Sequence, residues 1–120
     1  MTRRTLPYVS TPELARERFF SPHTPEELVL RYAQRLGEES ARSGTDGIVN
    51  RPHPDRIHTR MLVLGAADDG AVIRAEVEAT ARAYRTEPEF FPRMGHNMML
   101  EPGWEAVAAR IATWLAAEGL

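Results

Sequence analysis

The chain has 120 residues, no cysteine, and a formal charge of −2 from 15 basic and 17 acidic side chains. That length is one modest domain; the charge offers no basic field for nucleic acid, and the missing cysteine excludes disulfide staples, thiolate metal sites and a cysteine nucleophile. There is no apolar run near the roughly 18 residues of a membrane helix and no apolar stretch behind Arg3 and Arg4, so a cytoplasmic chain without stable membrane insertion is expected.

In chain order, residues 1–9 read as irregular. Thr11 then offers a helix cap, Pro12 the first helical position and Glu13 a favourable charge at the positive end of the dipole, predicting a short helix to about Phe20. The device repeats at Thr24, Pro25 and Glu27, where the spacing is that of a capping box. From there Leu28, Val29, Tyr32, Ala33 and Leu36 form an apolar stripe, predicting a helix that frays after Gly37 and ends by Gly44, with Leu30 off the stripe. Residues 1–44 are thus a helical segment and 45–60 a linker rich in glycine, proline and polar residues.

Met61 to Leu64 is a continuous apolar run ended by Gly65, the pattern of a strand covered on both faces. Ile73, Val77, Ala81 and Tyr84 recur at helical spacing from near Val72 to about Arg85. Glu87 to Phe91 reads as a second strand, with Pro88 tolerable only at its start. Trp104, Val107, Ala108, Ile111 and Leu115 give the strongest helical face, and Trp104 and Trp114 read as core anchors. Strand, helix, strand, helix implies an α/β arrangement of two parallel strands joined by a right-handed crossover.

An acid after the first strand, Asp68 or Asp69, and a histidine after the second, His96, fall at the same edge of such a sheet. A carboxylate and an imidazole there are two parts of a catalytic triad, and the nucleophile has to be sought elsewhere.

VLGAADD, followed by ATARAYRTEPEFFPRMGHNMMLEPGWEAVAARIATWL, resembles the C-terminal end of an α/β-hydrolase of the lysophospholipase-like or carboxylesterase-like kind. The resemblance covers residues 61–120 as the C-terminal part of the core, and more loosely makes residues 1–44 an α-helical cap segment. It implies a partial α/β-hydrolase fold in which His96 is the general base, Asp69 or Asp68 the triad acid, and Met94, Met98 and Met99 the lining of an acyl pocket. Asp69-Gly70-Ala71-Val72 fits the family's pattern after the acid better than the register beginning at Asp68. Gly95 is expected to allow a tight turn before the histidine.

The family's G-x-S-x-G nucleophile turn is missing: none of Ser10, Ser21, Ser40 and Ser43 has glycine on both flanks at that spacing, and no H-G-G segment supplies an oxyanion hole. The expectation is therefore the C-terminal portion of a serine hydrolase, inactive alone, whose complete form cleaves a small-molecule ester or lysolipid without a metal or organic cofactor. The alternative is a noncatalytic module derived from that fold, which associates with itself or with a complementing chain through its open sheet edge. His53, Asp55 and His58 lie close in sequence, but with prolines around His53 and no helix to align them they make a weak metal set.

Overall fold

The computed structural model describes residues 9, 11–37 and 51–120. The irregular N-terminus, any continuation of the second helix toward Gly44 and the first part of the linker lie outside the described residues.

The apolar run at Met61 enters the sheet slightly later than its sequence indicates. Strand β1 spans Val63–Ala66 and strand β2 spans Pro88–Phe91. They pair in parallel, with Val63 opposite Pro88 and Ala66 opposite Phe91. Gly65 lies within β1 instead of ending it, because its partner Phe90 lays its ring over the position: a Cβ on Gly65 would stand 2.7 Å from Phe90 Cε1. Pro88 is the first residue of its strand, where a missing N–H costs least.

The crossover between the strands is helix α3, Arg74–Ala83, and the chain ends in helix α4, Trp104–Ala117. Alternation along the strands separates their contacts. Gly65 and Phe90 face α3, where Val77 Cγ1 would lie 3.1 Å from a Gly65 Cβ and the Arg74 guanidinium sits 3.7 Å from the Phe90 ring centre. Leu64, Ala66, Glu89 and Phe91 face the other way. There Ala66, Met94 and Val107 form a buried cluster with Leu64, Phe91 and Met98 packed around it, and Arg110 of α4 holds Glu89 through two hydrogen bonds. The described residues are thus of mixed α/β class, a two-stranded parallel sheet with a helix on each face.

Helix α1, Pro12–Phe19, starts as its sequence predicts, with the Leu14 N–H donating to Thr11 Oγ1 at 3.3 Å. Helix α2, Glu26–Ala33, does not. Pro25 stands at its N-cap and Thr24 turns inward, so the capping box read from Thr24 and Glu27 does not form. The two helices pack on each other, burying Ala15, Phe20 and Val29, with the Phe20 and Tyr32 rings stacked 6.2 Å apart. α3 also begins differently from its apolar pattern. Ile73 precedes the helix and is exposed, and Glu76 accepts the Ile73 N–H at 3.0 Å, the half of a capping box that an isoleucine leaves available.

On α4 only Val107 of the predicted apolar face is buried. Trp104 is 48% exposed, Ile111 39% and Leu115 36%, and Ala108 is exposed as well. Trp104 is therefore not a core anchor among the described residues, because two strands are too narrow to cover a four-turn helix.

Candidate functional site

Both loops that leave the sheet at its carboxyl edge continue to hold each other after the strands end. The Ala67 N–H donates to the Phe91 carbonyl and the Asp68 N–H to the Met94 carbonyl, each at 2.9 Å. These bonds bring the loop after β1 alongside the loop after β2. The second loop turns at Arg93, whose φ of 59° is the left-handed conformation that few non-glycine residues adopt.

This juxtaposition separates the two aspartates. Asp68 is exposed, and no described residue hydrogen-bonds its carboxylate. Asp69 points inward, its side chain only 8% exposed. Its Oδ1 accepts the Ala71 and Val72 N–H groups at 2.8 and 2.9 Å, and its Oδ2 lies 2.9 Å from His96 Nδ1. Two backbone donors fix the carboxylate before the imidazole reaches it, so one Asp69 oxygen serves the turn and the other serves the ring. When Nδ1–H donates to this carboxylate, the neutral ring's lone pair lies on Nε2. Among the described residues Nδ1 makes the ring's only hydrogen bond, and the side chain is 39% exposed. The imidazole is thus held at one nitrogen while the ring stays partly exposed.

The other wall comes from α1. The Phe19 ring stands 6.0 Å from the His96 ring, tilted by 37°, and the Phe19 carbonyl accepts the Asn97 N–H at 2.9 Å. Two glycines make this approach feasible. A Cβ on Gly70 would fall 1.8 Å from the Glu17 carbonyl oxygen, and one on Gly95 would fall 2.4 to 2.6 Å from Phe20 and Ser21 backbone atoms. The tight turn expected at Gly95 is a different requirement: its φ is not positive, and the residue is small because another backbone passes against it.

Behind the histidine lies a carboxylate that sequence reading passed over. Glu101 is 1% exposed and accepts the Ser21 and Gly95 N–H groups at 2.6 and 2.9 Å, together with the Thr24 hydroxyl. That bond is what draws Thr24 away from its helix. The signal available in the sequence was a lone acid in the apolar context MMLEPGW, which a solvated helix face would not show.

The three methionines stand in different surroundings among the described residues. Met94 is buried in the cluster with Ala66 and Val107, Met98 packs against that cluster, and Met99 is 67% exposed. A shallow groove touches Met94, with His23, Phe91, Pro92 and Pro102 around it, but His96, Met98 and Met99 do not line it. Of the four serines only Ser21 is described. It is fully buried and bonded to Thr24 and Glu101, which is no place for a nucleophile. Among the described residues no three His, Asp or Glu side chains gather as metal ligands, and no helix is long and apolar enough to cross a membrane.

No protein-family model, curated protein or solved structure matches this chain.

Proposed function

We propose that Asp69 and His96 are the acid and base of a serine hydrolase of α/β-hydrolase type that cleaves carboxylic esters, with the nucleophile and oxyanion donors supplied from outside these 120 residues. The observation that carries the reading is the 2.9 Å hydrogen bond between Asp69 Oδ2 and His96 Nδ1, made at the carboxyl ends of adjacent parallel strands. Ligands of open α/β sheets bind at that edge. The parallel β1–α3–β2 unit, the covering helix α4 and the sequence from VLGAADD to the terminal helix support the same family.

In this reading His96 Nε2 takes the proton of the attacking serine hydroxyl as its oxygen bonds to the ester carbonyl carbon. Asp69 stabilises the imidazolium without itself being protonated. The proton passes to the departing alkoxy oxygen as its bond to the carbonyl carbon breaks, leaving an acyl-serine. The same nitrogen then takes a proton from the water that attacks this ester and returns it to the serine oxygen as the acid leaves. Phe19 beside the imidazole gives the site an apolar wall, in keeping with an acyl substrate.

The test is hydrolysis of p-nitrophenyl acyl esters together with fluorophosphonate labelling. It is run on the 120-residue chain and on that chain joined to, or mixed with, the polypeptide that carries the G-x-S-x-G turn. The expected result is no label and no turnover for the chain alone. In the completed form both are present, and His96→Ala lowers turnover by about 10⁴-fold or more. Serine labelling of the chain alone, or turnover in the completed form that is indifferent to His96→Ala, contradicts the reading.

A second reading, a noncatalytic module that associates through its uncovered surfaces, is favoured by the exposed Trp104, Ile111 and Leu115 on α4 and by a sheet that has only two strands among the described residues. Light scattering after size exclusion separates the two: a monomer at high concentration argues against the module.

A further inference from the structure

A buried carboxylate is costly unless its lone pairs meet donors. At Glu101 four converge. Oε1 accepts the backbone N–H groups of Ser21 and Gly95, and Oε2 accepts the Thr24 hydroxyl and, at 3.5 Å, the Ser21 hydroxyl. Thr24 Oγ1 also lies within 3.1 Å of the Ser21 N–H. No described buried side-chain polar atom is left without a partner. A carboxylate suits this set because it accepts at both oxygens and donates at neither.

The location of those donors gives the cluster its consequence. Gly95 is the residue before His96, and the backbone of Phe20 and Ser21 passes so close to it that no side chain fits between them. Glu101 closes this crossing from behind, and Asn97 N–H to Phe19 carbonyl closes it from the other side of the histidine. The backbone from which the imidazole hangs is therefore held at both neighbours, once by a buried carboxyl group and once by a backbone carbonyl of α1.

We propose that Glu101 is a positioning residue for His96, fixing the backbone of the histidine loop against the 20–24 turn so that the imidazole meets Asp69. Asp69 orients the ring through Nδ1, and Glu101 orients it through the main chain. The inference rests on the reading of Asp69 and His96 as acid and base. It adds that the helical segment α1–α2 is a structural part of the base and not a detached cover over it.

The experiment is a long-range ¹H–¹⁵N correlation spectrum of the 120-residue chain, which reports the ratio of the Nδ1–H to the Nε2–H tautomer of neutral His96. Wild type is expected to favour Nδ1–H, and Asp69→Asn to lose that preference. Glu101→Ala, with its amide dispersion retained, is expected to lower the ratio about fivefold, the scale of one hydrogen bond. Glu101→Gln is expected to restore it to within about twofold. The Gln amide oxygen replaces Oε1 for the two N–H groups, and its NH₂ donates to the rotatable hydroxyls of Ser21 and Thr24.

A ratio unchanged in Glu101→Ala while Asp69→Asn shifts it overturns the role of Glu101 and leaves the acid–base pair standing. A ratio unchanged in Asp69→Asn overturns the pair itself, and the role of Glu101 falls with it. Should Glu101→Ala not fold, Glu101→Asp carries the same test: one methylene shorter, it cannot reach Gly95 and Thr24 together, and an unshifted ratio again overturns the proposal.

Discussion

The corner built by residues 19–24, 68–72 and 93–101 and the outer surface of α4 are constructed in opposite ways. In the corner, backbones cross at distances only glycine permits, a buried charge has all its partners, and a carboxylate is held by two N–H groups before it meets a histidine. On α4 large apolar side chains stand in the open and the best polar contact is a half-exposed ion pair. The corner is organised by specific polar geometry, α4 by a hydrophobic face that two strands cover only in part. Substitutions in the two regions should therefore differ in size and in kind.

The largest effect is expected at the glycine crossings. Gly70→Ala and Gly95→Ala drive a methyl into backbone atoms of Glu17, Phe20 and Ser21, which cannot rotate away as a side chain can. Each should cost about 3 kcal/mol or more, the upper part of the overpacking range, or prevent folding. Chemical denaturation measures this, and tolerance of both would mean that α1 does not sit on these loops. Next is Asp69→Ala, which leaves the Ala71 and Val72 N–H groups without their acceptor and should cost about 1–3 kcal/mol. Asp69→Asn keeps one oxygen for those donors and should cost less while still disturbing the histidine.

On α4 the expectation reverses. Ile111→Gln and Leu115→Gln should each cost only about 1 kcal/mol, because both side chains are already more than a third exposed. A loss of several kcal/mol would show that this face is covered in solution, and a concentration-dependent Tm would identify a second copy as the cover.

The smallest effect belongs to the pair between β2 and α4. Hydrogen bonds from Arg110 hold the Glu89 carboxyl below the usual glutamate range, against an opposing desolvation, and Arg110 is correspondingly raised. For a depressed carboxyl the stabilisation is present above its unfolded pKa and is lost as pH falls through the folded one. The Tm difference between wild type and Glu89→Gln should therefore be small at neutral pH, shrink with added salt, and vanish in acid below the ordinary glutamate range.

The sequence made the elements legible where signals are local. The Thr11 cap, the helical spacing of Val77 and Ala81, the strand at Glu87 to Phe91 and the parallel crossover all follow from short-range patterns. So did the pairing of an acid and His96 at one edge, because strand order decides which loops are neighbours. Thr24 misled because a hydroxyl before a proline has the form of a cap until a distant carboxylate claims it. Gly65 and Gly95 misled because glycine marks both turns and close approaches, and only the partner, Phe90 in one case and the Phe20–Ser21 backbone in the other, distinguishes them. The methionines were less legible, because a flexible apolar side chain fills a core as readily as it lines a pocket, and Met94 lies in the buried cluster. Glu101 was illegible for a different reason: apart from Gly95, its partners Thr24 and Ser21 lie 77 and 80 residues earlier in the chain.

The central claim is that this chain's own contacts hold the acid and the histidine in place, and native-state hydrogen exchange tests it most directly. The amides of Ala71 and Val72, which hold Asp69, and of Gly95 and Asn97, which flank His96, are predicted to exchange as slowly as those of β1 and β2. Exchange of these four at unprotected rates, while the strands and α4 remain protected, would contradict the account.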